Sequence, residues 1–229
     1  MNWVEDSLFF GLFLSLIGYE IGLLMRRKWK KAIFNPLLIS IVVVMLVLKV
    51  LRVPYESYNM SAKYLSYLLT PSTICLAVPL YEQIDILKQN AKAIICGILM
   101  GALTSMGSVL GLSAAFGLSH AEYVTMLPKS ITTAIGMGVS EELGGIVTIT
   151  VAVIIVTGIL GNVLADLVCK LVRIQEPVAR GIGIGSASHA IGTAKAMEMG
   201  EIEGAMSGLS IAVSGLVTVL GATVFANFY

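Results

Sequence analysis

Three stretches of this chain, Ala93 to Ser119, Leu143 to Ala165 and Gly204 to Tyr229, contain no charged residue. A helix needs about 20 mostly apolar residues to cross the hydrocarbon of a bilayer, and each stretch is longer than that. Lipid offers no partner for the backbone, so such stretches fold as helices. Leu8 to Met25, interrupted only by Glu20, and the shorter Ala32 to Leu48 have the same character. Composition agrees: 57% of the 229 residues are hydrophobic and 13% charged, whereas a soluble domain carries roughly a quarter charged residues. The sequence predicts an all-α polytopic integral membrane protein, one transmembrane domain over residues 1–229, with about seven or eight hydrophobic segments. A net charge of +1 offers no basic surface to nucleic acid.

Charge placement orients the chain. Glu5 and Asp6 precede the first apolar run, and Arg26, Arg27, Lys28, Lys30 and Lys31 follow it. A secretory leader has the reverse order, so the first helix is expected to be retained, with its N-terminus outside and the basic loop in the cytoplasm.

The remaining hydrophobic segments are interrupted. Tyr64 to Tyr81 contains Pro71 and Pro79, and Tyr123 to Ser140 contains Pro128 and Lys129. Arg180 to Gly200 carries Ser186, Ser188, His189, Thr193, Lys195 and Glu198. Proline inside a helix removes a hydrogen bond and clashes with the preceding turn, and concentrated polar groups are tolerated at membrane depth only inside protein or beside water. Each segment is therefore expected to be a broken or re-entrant helix. If 123–140 returns to the side it entered, Lys170, Arg173 and Arg180 fall in the cytoplasm; if it crosses, they fall outside, against the positive-inside bias. Re-entrance is favoured, and the last broken segment then enters from the other side. Three times a broken polar segment precedes a long uncharged helix, an arrangement that opens the option of inverted repeats around a midplane site.

The polar residues of these segments suggest an anion site. Thr70-Pro71 has the chemistry of a helix start, and Pro128-Lys129-Ser130 and Ser188-His189 are expected to open half-helices similarly. A half-helix N-terminus presents unpaired amides and about half a positive charge, so two facing ends suit a small carboxylate. Hydroxyls of Ser130, Thr132, Thr133, Ser188 and Thr193 would bond the rest of the ligand. Lys129 either pairs with the anion or snorkels to the outer surface near Glu122. Lys195 either joins the site or belongs to a solvated end with Glu198, Glu201 and Glu203. His189 either binds the carboxylate or carries a proton, or it is a structural hydrogen-bonding residue.

Other features read as structural. Cys75, Cys96 and Cys169 lack ligand spacing and are expected to be buried free thiols. His120 falls in a loop, so neither a metal nor another cofactor is expected, and with no nucleophile–base pair in view the chain is not expected to be an enzyme. The pairs Gly97/Gly101, Gly107/Gly111 and Gly204/Gly208 suit close helix contacts. Gly181, Gly183 and Gly185 alternate, which predicts extended backbone approaching a neighbour closely.

LLTPSTICLAVPLY, LPKSITTAIGMGVSEELGG and GSASHAIGTAKAMEMGEIEGAMSGL, in that order, resemble the LrgB/CidB family of bacterial membrane proteins. The resemblance covers nearly the whole chain, and SHAIGTAKAMEMG with SEELGG looks closer to the CidB branch. It implies a multi-pass protein of the bacterial cell membrane with a separate small LrgA/CidA-like partner, because plastid glycolate/glycerate translocators carry that domain ahead of this one. It also implies two functions: carriage of short organic acids such as pyruvate, glycolate or glycerate, or holin- and antiholin-like control of murein hydrolase export and autolysis. Broken helices furnished with Lys129, Thr132, Thr133, Ser188 and His189 favour a carrier working by alternating access, expected to be a homodimer, with the lysis regulator as the alternative.

Overall fold

The computed structural model describes residues 7, 9–29, 34–68, 71, 74–75 and 77–229. The chain divides between Cys75 and Leu76 into two compact units.

In the first unit, α1 (Phe10–Trp29) and α2 (Pro36–Leu51) run antiparallel. Gly18 lies against Ser40 and Gly22 against the backbone of Pro36. Pro36 opens α2, and the Asn35 side chain accepts from the amides of Leu37 and Leu38 at 2.9 and 3.2 Å, the expected chemistry of a helix start. The short α3 (Tyr55–Ala62) leads into a 3-10 turn, Lys63–Leu68. Ser61 Oγ accepts from the amide of Gly11 at 2.7 Å and ties α3 to the start of α1.

The second unit contains α4 (Ala77–Glu82), α5 (Ile84–Phe116), α6 (His120–Met126), α7 (Thr133–Glu142), α8 (Val147–Leu171), α9 (Pro177–Met199), α10 (Glu201–Phe225) and a final 3-10 turn, Ala226–Phe228. Among the described residues there is no strand. Among the described residues three helices, α5, α8 and α10 with its 3-10 extension, are long and apolar enough to cross a membrane, and α2 is a shorter apolar helix. They coincide with the uncharged stretches. The expectation of seven or eight segments also counted α1, which carries Glu20 and a basic last turn, and the broken segments, two of which turn back.

Residues along α5 and α10 meet in the same order: Ile94 and Ile98 pack with Ala205 and Met206, and Met106 packs with Ala222. These two helices are parallel. The chain then fills the space between the long helices with two hairpins. In the first, α6 descends, the backbone turns at 127–132, and α7 returns. Thr150 Oγ1 of α8 donates to the Thr125 carbonyl at 2.9 Å and to Ser140 Oγ at 2.7 Å, which places the two arms side by side. Ser119 and Glu122 form a capping box at its entrance. The Ser119 amide, and then its hydroxyl, hold the Glu122 carboxyl below the usual carboxylate range.

The second hairpin is α9 itself. Ser188 (φ −139°, ψ 20°) and His189 (φ 43°, ψ −144°) interrupt its helical backbone. A straight helix would separate Ile184 from Gly192 by about 12 Å, yet a Cβ at Gly192 would lie 3.1 Å from the Ile184 side chain. Arg180, near the start of α9, lies 3.8 Å from Glu203, just beyond its end. Arms 177–187 and 190–199 therefore enter and leave at one end of the unit. Ala165 of α8 packs with Ile184 and Ala196 from both arms.

The hairpins enter from opposite ends, an inverted arrangement. One end holds Lys88, Lys92, Lys170, Arg173, Arg180 and Lys195; the other holds Glu122, Glu141 and Glu142. The burial pattern is inside-out, as lipid requires. Met100, Leu103 and Leu112 of α5, Leu160 and Leu167 of α8, and Leu216 and Leu220 of α10 are exposed, while Ser113, Ser140, Thr150, Ser207, Ser210 and Ser214 are buried. Small hydroxyl residues between membrane helices allow close approach and bond across it. Cys75 and Cys96 are exposed and only Cys169 is buried. The expectation of three buried thiols equated apolar with interior, which fails where the outer surface is itself apolar.

Candidate functional site between the hairpin tips

The tips meet near the middle of the spans. Ser105, near the centre of the uncharged stretch of α5, receives a hydrogen bond from Lys129 Nζ in the first hairpin's turn at 3.2 Å. Ile154, at the centre of the uncharged stretch of α8, has its carbonyl 3.0 Å from His189 Nε2 in the second hairpin's turn. A Cβ at Gly136 of α7 would strike the Ile154 side chain, and one at Gly215 of α10 would lie 3.4 Å from Ile135. Both returning arms, α7 and 190–199, thus begin near mid-span, so their unpaired amides and positive ends face the interior.

Lys129 is half-buried and also donates to Ser130 Oγ at 3.1 Å, while Ser105 Oγ and Ser130 Oγ lie 2.8 Å apart. Among the described residues no carboxylate pairs with it. An ammonium at this depth without a fixed counter-ion leaves a place complementary to an anion. Ser186 on the descending arm of α9 is 4% exposed, and its hydroxyl has no hydrogen-bond partner. A buried polar group left unpaired costs free energy unless something else satisfies it.

Two cavities meet at this point. One, of about 290 Å³, carries five hydroxyls among mostly small apolar residues: Thr104, Ser105 and Ser108 of α5, Ser130, and Ser186, with Lys129 beside them. By volume it equals roughly ten waters. The other, of about 390 Å³, runs from Lys129 and Ser188 to Arg180 at the basic end, past Leu160, Leu164, Val168 and Ile184. Arg180 is held by the Ile174 carbonyl, to which its Nε donates at 2.9 Å.

Of the residues singled out from sequence, Lys129, Ser130 and Ser188 line these cavities. Thr132 and Thr133 sit at the start of α7, where Thr132 takes the extended cap conformation without a side-chain cap bond. Pro128-Lys129-Ser130 does not open that half-helix as expected. It forms a tight turn, with the Lys129 amide bonded to Met126 O and the Ile131 amide to Pro128 O at 3.1 and 3.3 Å. Proline's missing donor suits the turn, and α7 starts only at Thr133.

His189 and Thr193 hold the second hairpin. Thr193 Oγ1 donates to the His189 carbonyl at 3.0 Å and lies 2.7 Å from Ser207 Oγ. Lys195 pairs with Asp166 at 2.7 Å and with Glu198 at 3.7 Å, apart from both cavities. Thr70 lies outside the described residues.

Gly181, Gly183 and Gly185 are helical, not extended. Gly181 and Gly185, one turn apart, press on the backbone of Glu203 and Ser207 in α10, so the expected close approach is made by a helix face. Gly97 and Gly101 meet Ile182 and Ser186 of α9, whereas Gly107 and Gly111 of α5 meet nothing within 4 Å. Sequence reasoning missed Ser105, Thr104, Ser108, Ser186 and Arg180 as wall residues. The α5 set had a signal: Gly97, Gly101, Thr104, Ser105 and Ser108 recur at helical spacing on one face, small throughout and hydroxyl-bearing from Thr104 on.

The sequence pattern of the LrgB-like family matches residues 15–228. The antiholin-like protein LrgB of Bacillus mycoides (strain KBAB4) is 38% identical over 221 residues, 96% of each chain. Those of Bacillus cereus (strain B4264) and Bacillus anthracis (strain CDC 684 / NRRL 3495) are similar to this chain at the same identity and coverage. No solved structure matches.

Proposed function

The chain belongs to the LrgB-like family of membrane proteins, and from that premise we propose that it carries a small carboxylate across the bacterial cell membrane. The anion sits against Lys129 and the hydroxyls of Ser105, Ser130 and Ser186. The observation that carries this reading is the ammonium of Lys129 near mid-span, bonded to two serines and facing a hydroxyl-lined chamber. Hydroxy and keto acids with two or three carbons, the pyruvate, glycolate and glycerate class, match that lining, because each offers polar oxygens beyond its carboxylate. Opposed hairpins whose tips meet at the site suit alternating access, one hairpin moving against the three long helices. Nothing in this role requires bond chemistry, so the chain is read as a carrier and not as an enzyme. A small LrgA/CidA-like membrane protein and a second copy of the chain are its proposed partners.

The second reading is antiholin-like control of cell lysis. The names of the Bacillus relatives support it more directly than they support carriage. The two readings part in a purified system. Uptake of labelled pyruvate, glycolate and glycerate into proteoliposomes holding only this chain, with and without a pH gradient, should be saturable for at least one acid and should fall in Lys129→Ala. Absence of uptake from correctly inserted protein, together with altered autolysis when the chain is removed from cells, would establish the lysis reading in its place.

A further inference from the structure

Lys129, Gly183 and Ala187 line both cavities. We infer that the two are one passage, joined across Gly183 on the descending arm of the second hairpin, and that the absence of a side chain at Gly183 sets its bore. This deepens the carrier reading and rests on it for the identity of what passes.

Packing does not account for this glycine. Gly181 and Gly185 on the same arm touch α10 so closely that a Cβ would lie within 3 Å of its atoms, whereas a Cβ at Gly183 would meet nothing within 4 Å. Its backbone is helical, and Gly183 is not among the residues with positive φ. Glycine inside a helix is less stable than alanine by about 1 kcal/mol. Neither neighbours nor backbone thus require it. Gly107 also meets nothing but lines neither cavity, whereas Gly183 lines both, so a side chain there would project into the opening that connects them.

The walls fit a route. From the basic end an anion meets Arg180, whose guanidinium is drawn aside by the Ile174 carbonyl and Glu203. It then passes Leu160, Leu164 and Val168, which offer no donor to hold it. At Gly183 it meets the ammonium of Lys129, which lines both cavities, and beyond it the free hydroxyl of Ser186. Cations mark the mouth and the destination, and the wall between them is mostly apolar, Thr157 and Ser188 being its hydroxyls.

The test places a cysteine at the junction, Gly183→Cys, in a chain whose Cys75, Cys96 and Cys169 are replaced by serine, since Cys169 lines the same cavity. Gly107→Cys on the outer face of α5 is the control. The anionic ethylsulfonate and the cationic trimethylammonium methanethiosulfonates are the probes. The anionic reagent should modify Gly183→Cys on the order of tenfold faster than the control, and Lys129→Gln should remove its advantage over the cationic one. Modification no faster than at Gly107→Cys would overturn the passage, whatever the transport result.

Gly183→Ala, Gly183→Val and Gly183→Leu should then reduce acid uptake in that order, Gly183→Leu by about tenfold or more, with thermal unfolding in detergent at an equal or higher temperature, since each removes a helical glycine without a clash. Wild-type uptake in Gly183→Leu would overturn the assignment of the bore. If the wild-type chain takes up no acid while Gly183→Cys reacts as described, the passage stands and the carrier reading falls.

Discussion

Lys129 has three donors, and the structure directs two of them to Ser105 and Ser130. Lys129→Gln keeps a hydrogen-bonding side chain but removes the charge, so acid uptake should drop by about tenfold or more while insertion and unfolding temperature hold. Ser186 separates binding from stability in the opposite sense. Its unpaired hydroxyl is buried without compensation, so Ser186→Ala should leave the unfolding temperature equal or higher and still weaken uptake. A fall in both would mean that the hydroxyl is paired within the fold. His189 was legible as a polar residue at a break, but its φ of 43° was not. That conformation strains any side chain with a Cβ. His189→Gly should therefore be less destabilising than His189→Ala, since both lose the bond to Ile154 but only alanine keeps the strain; unfolding in detergent measures the difference. What sequence could offer at this scale was residue type and local spacing. Partners such as Ser105 with Lys129 arise from the meeting of two segments, and nothing near either residue announces the other.

The hairpins show which breaks a sequence announces. The first turns where Pro128 cannot donate, so its reversal was legible, although the position of the half-helix start was displaced to Thr133. The second turns at Ser188-His189 with neither proline nor glycine at the bend; only the density of polar groups marked it. Its room is provided elsewhere, by Gly158 and Gly161 on α8, where a Cβ would fall on His189 and Ser188. Gly161→Val should accordingly cost about 1–3 kcal/mol through overpacking, visible as a lower unfolding temperature, whereas a change at outward-facing Gly107 should have little effect. The first hairpin depends on Thr150, whose hydroxyl joins both arms. Thr150→Val should cost about 1–2 kcal/mol, in keeping with interhelical side-chain bonds between membrane helices, and the loss should appear as easier proteolysis within 117–146. Sequence treated α5 as a plain span because it lacks charge from Ala93 onward, which is why the serine face that completes the chamber went unread.

Across the second unit, the placement of basic residues agrees with the fold. The starts of α5, α9 and α10 and the end of α8 share one end, and with Lys129 set aside that end holds every Lys and Arg of the unit. By the positive-inside bias that end is expected in the cytoplasm, with the apolar cavity and Arg180 at its mouth facing inward. Cysteines introduced at Val172 and Gly200 should react with an impermeant thiol reagent only from the cytoplasmic side, and one at Leu118 only from outside. Labelling of Val172 and Gly200 from opposite sides would mean that α9 crosses. The three long helices were legible from uncharged length alone, because the bilayer imposes that length. Their closure around two turned-back segments was not, since it depends on contacts between residues far apart in sequence.

A segment that leaves by the face it entered adds nothing to the parity of a chain. Only α5, α8 and α10 count toward it in this unit, so either hairpin could be lengthened, shortened or replaced without inverting anything downstream. The part of the molecule proposed to hold the anion is therefore the part whose variation the biogenesis machinery does not register: on the carrier reading, new selectivities can be drafted at the hairpin tips while the sidedness of every other segment stays as it was.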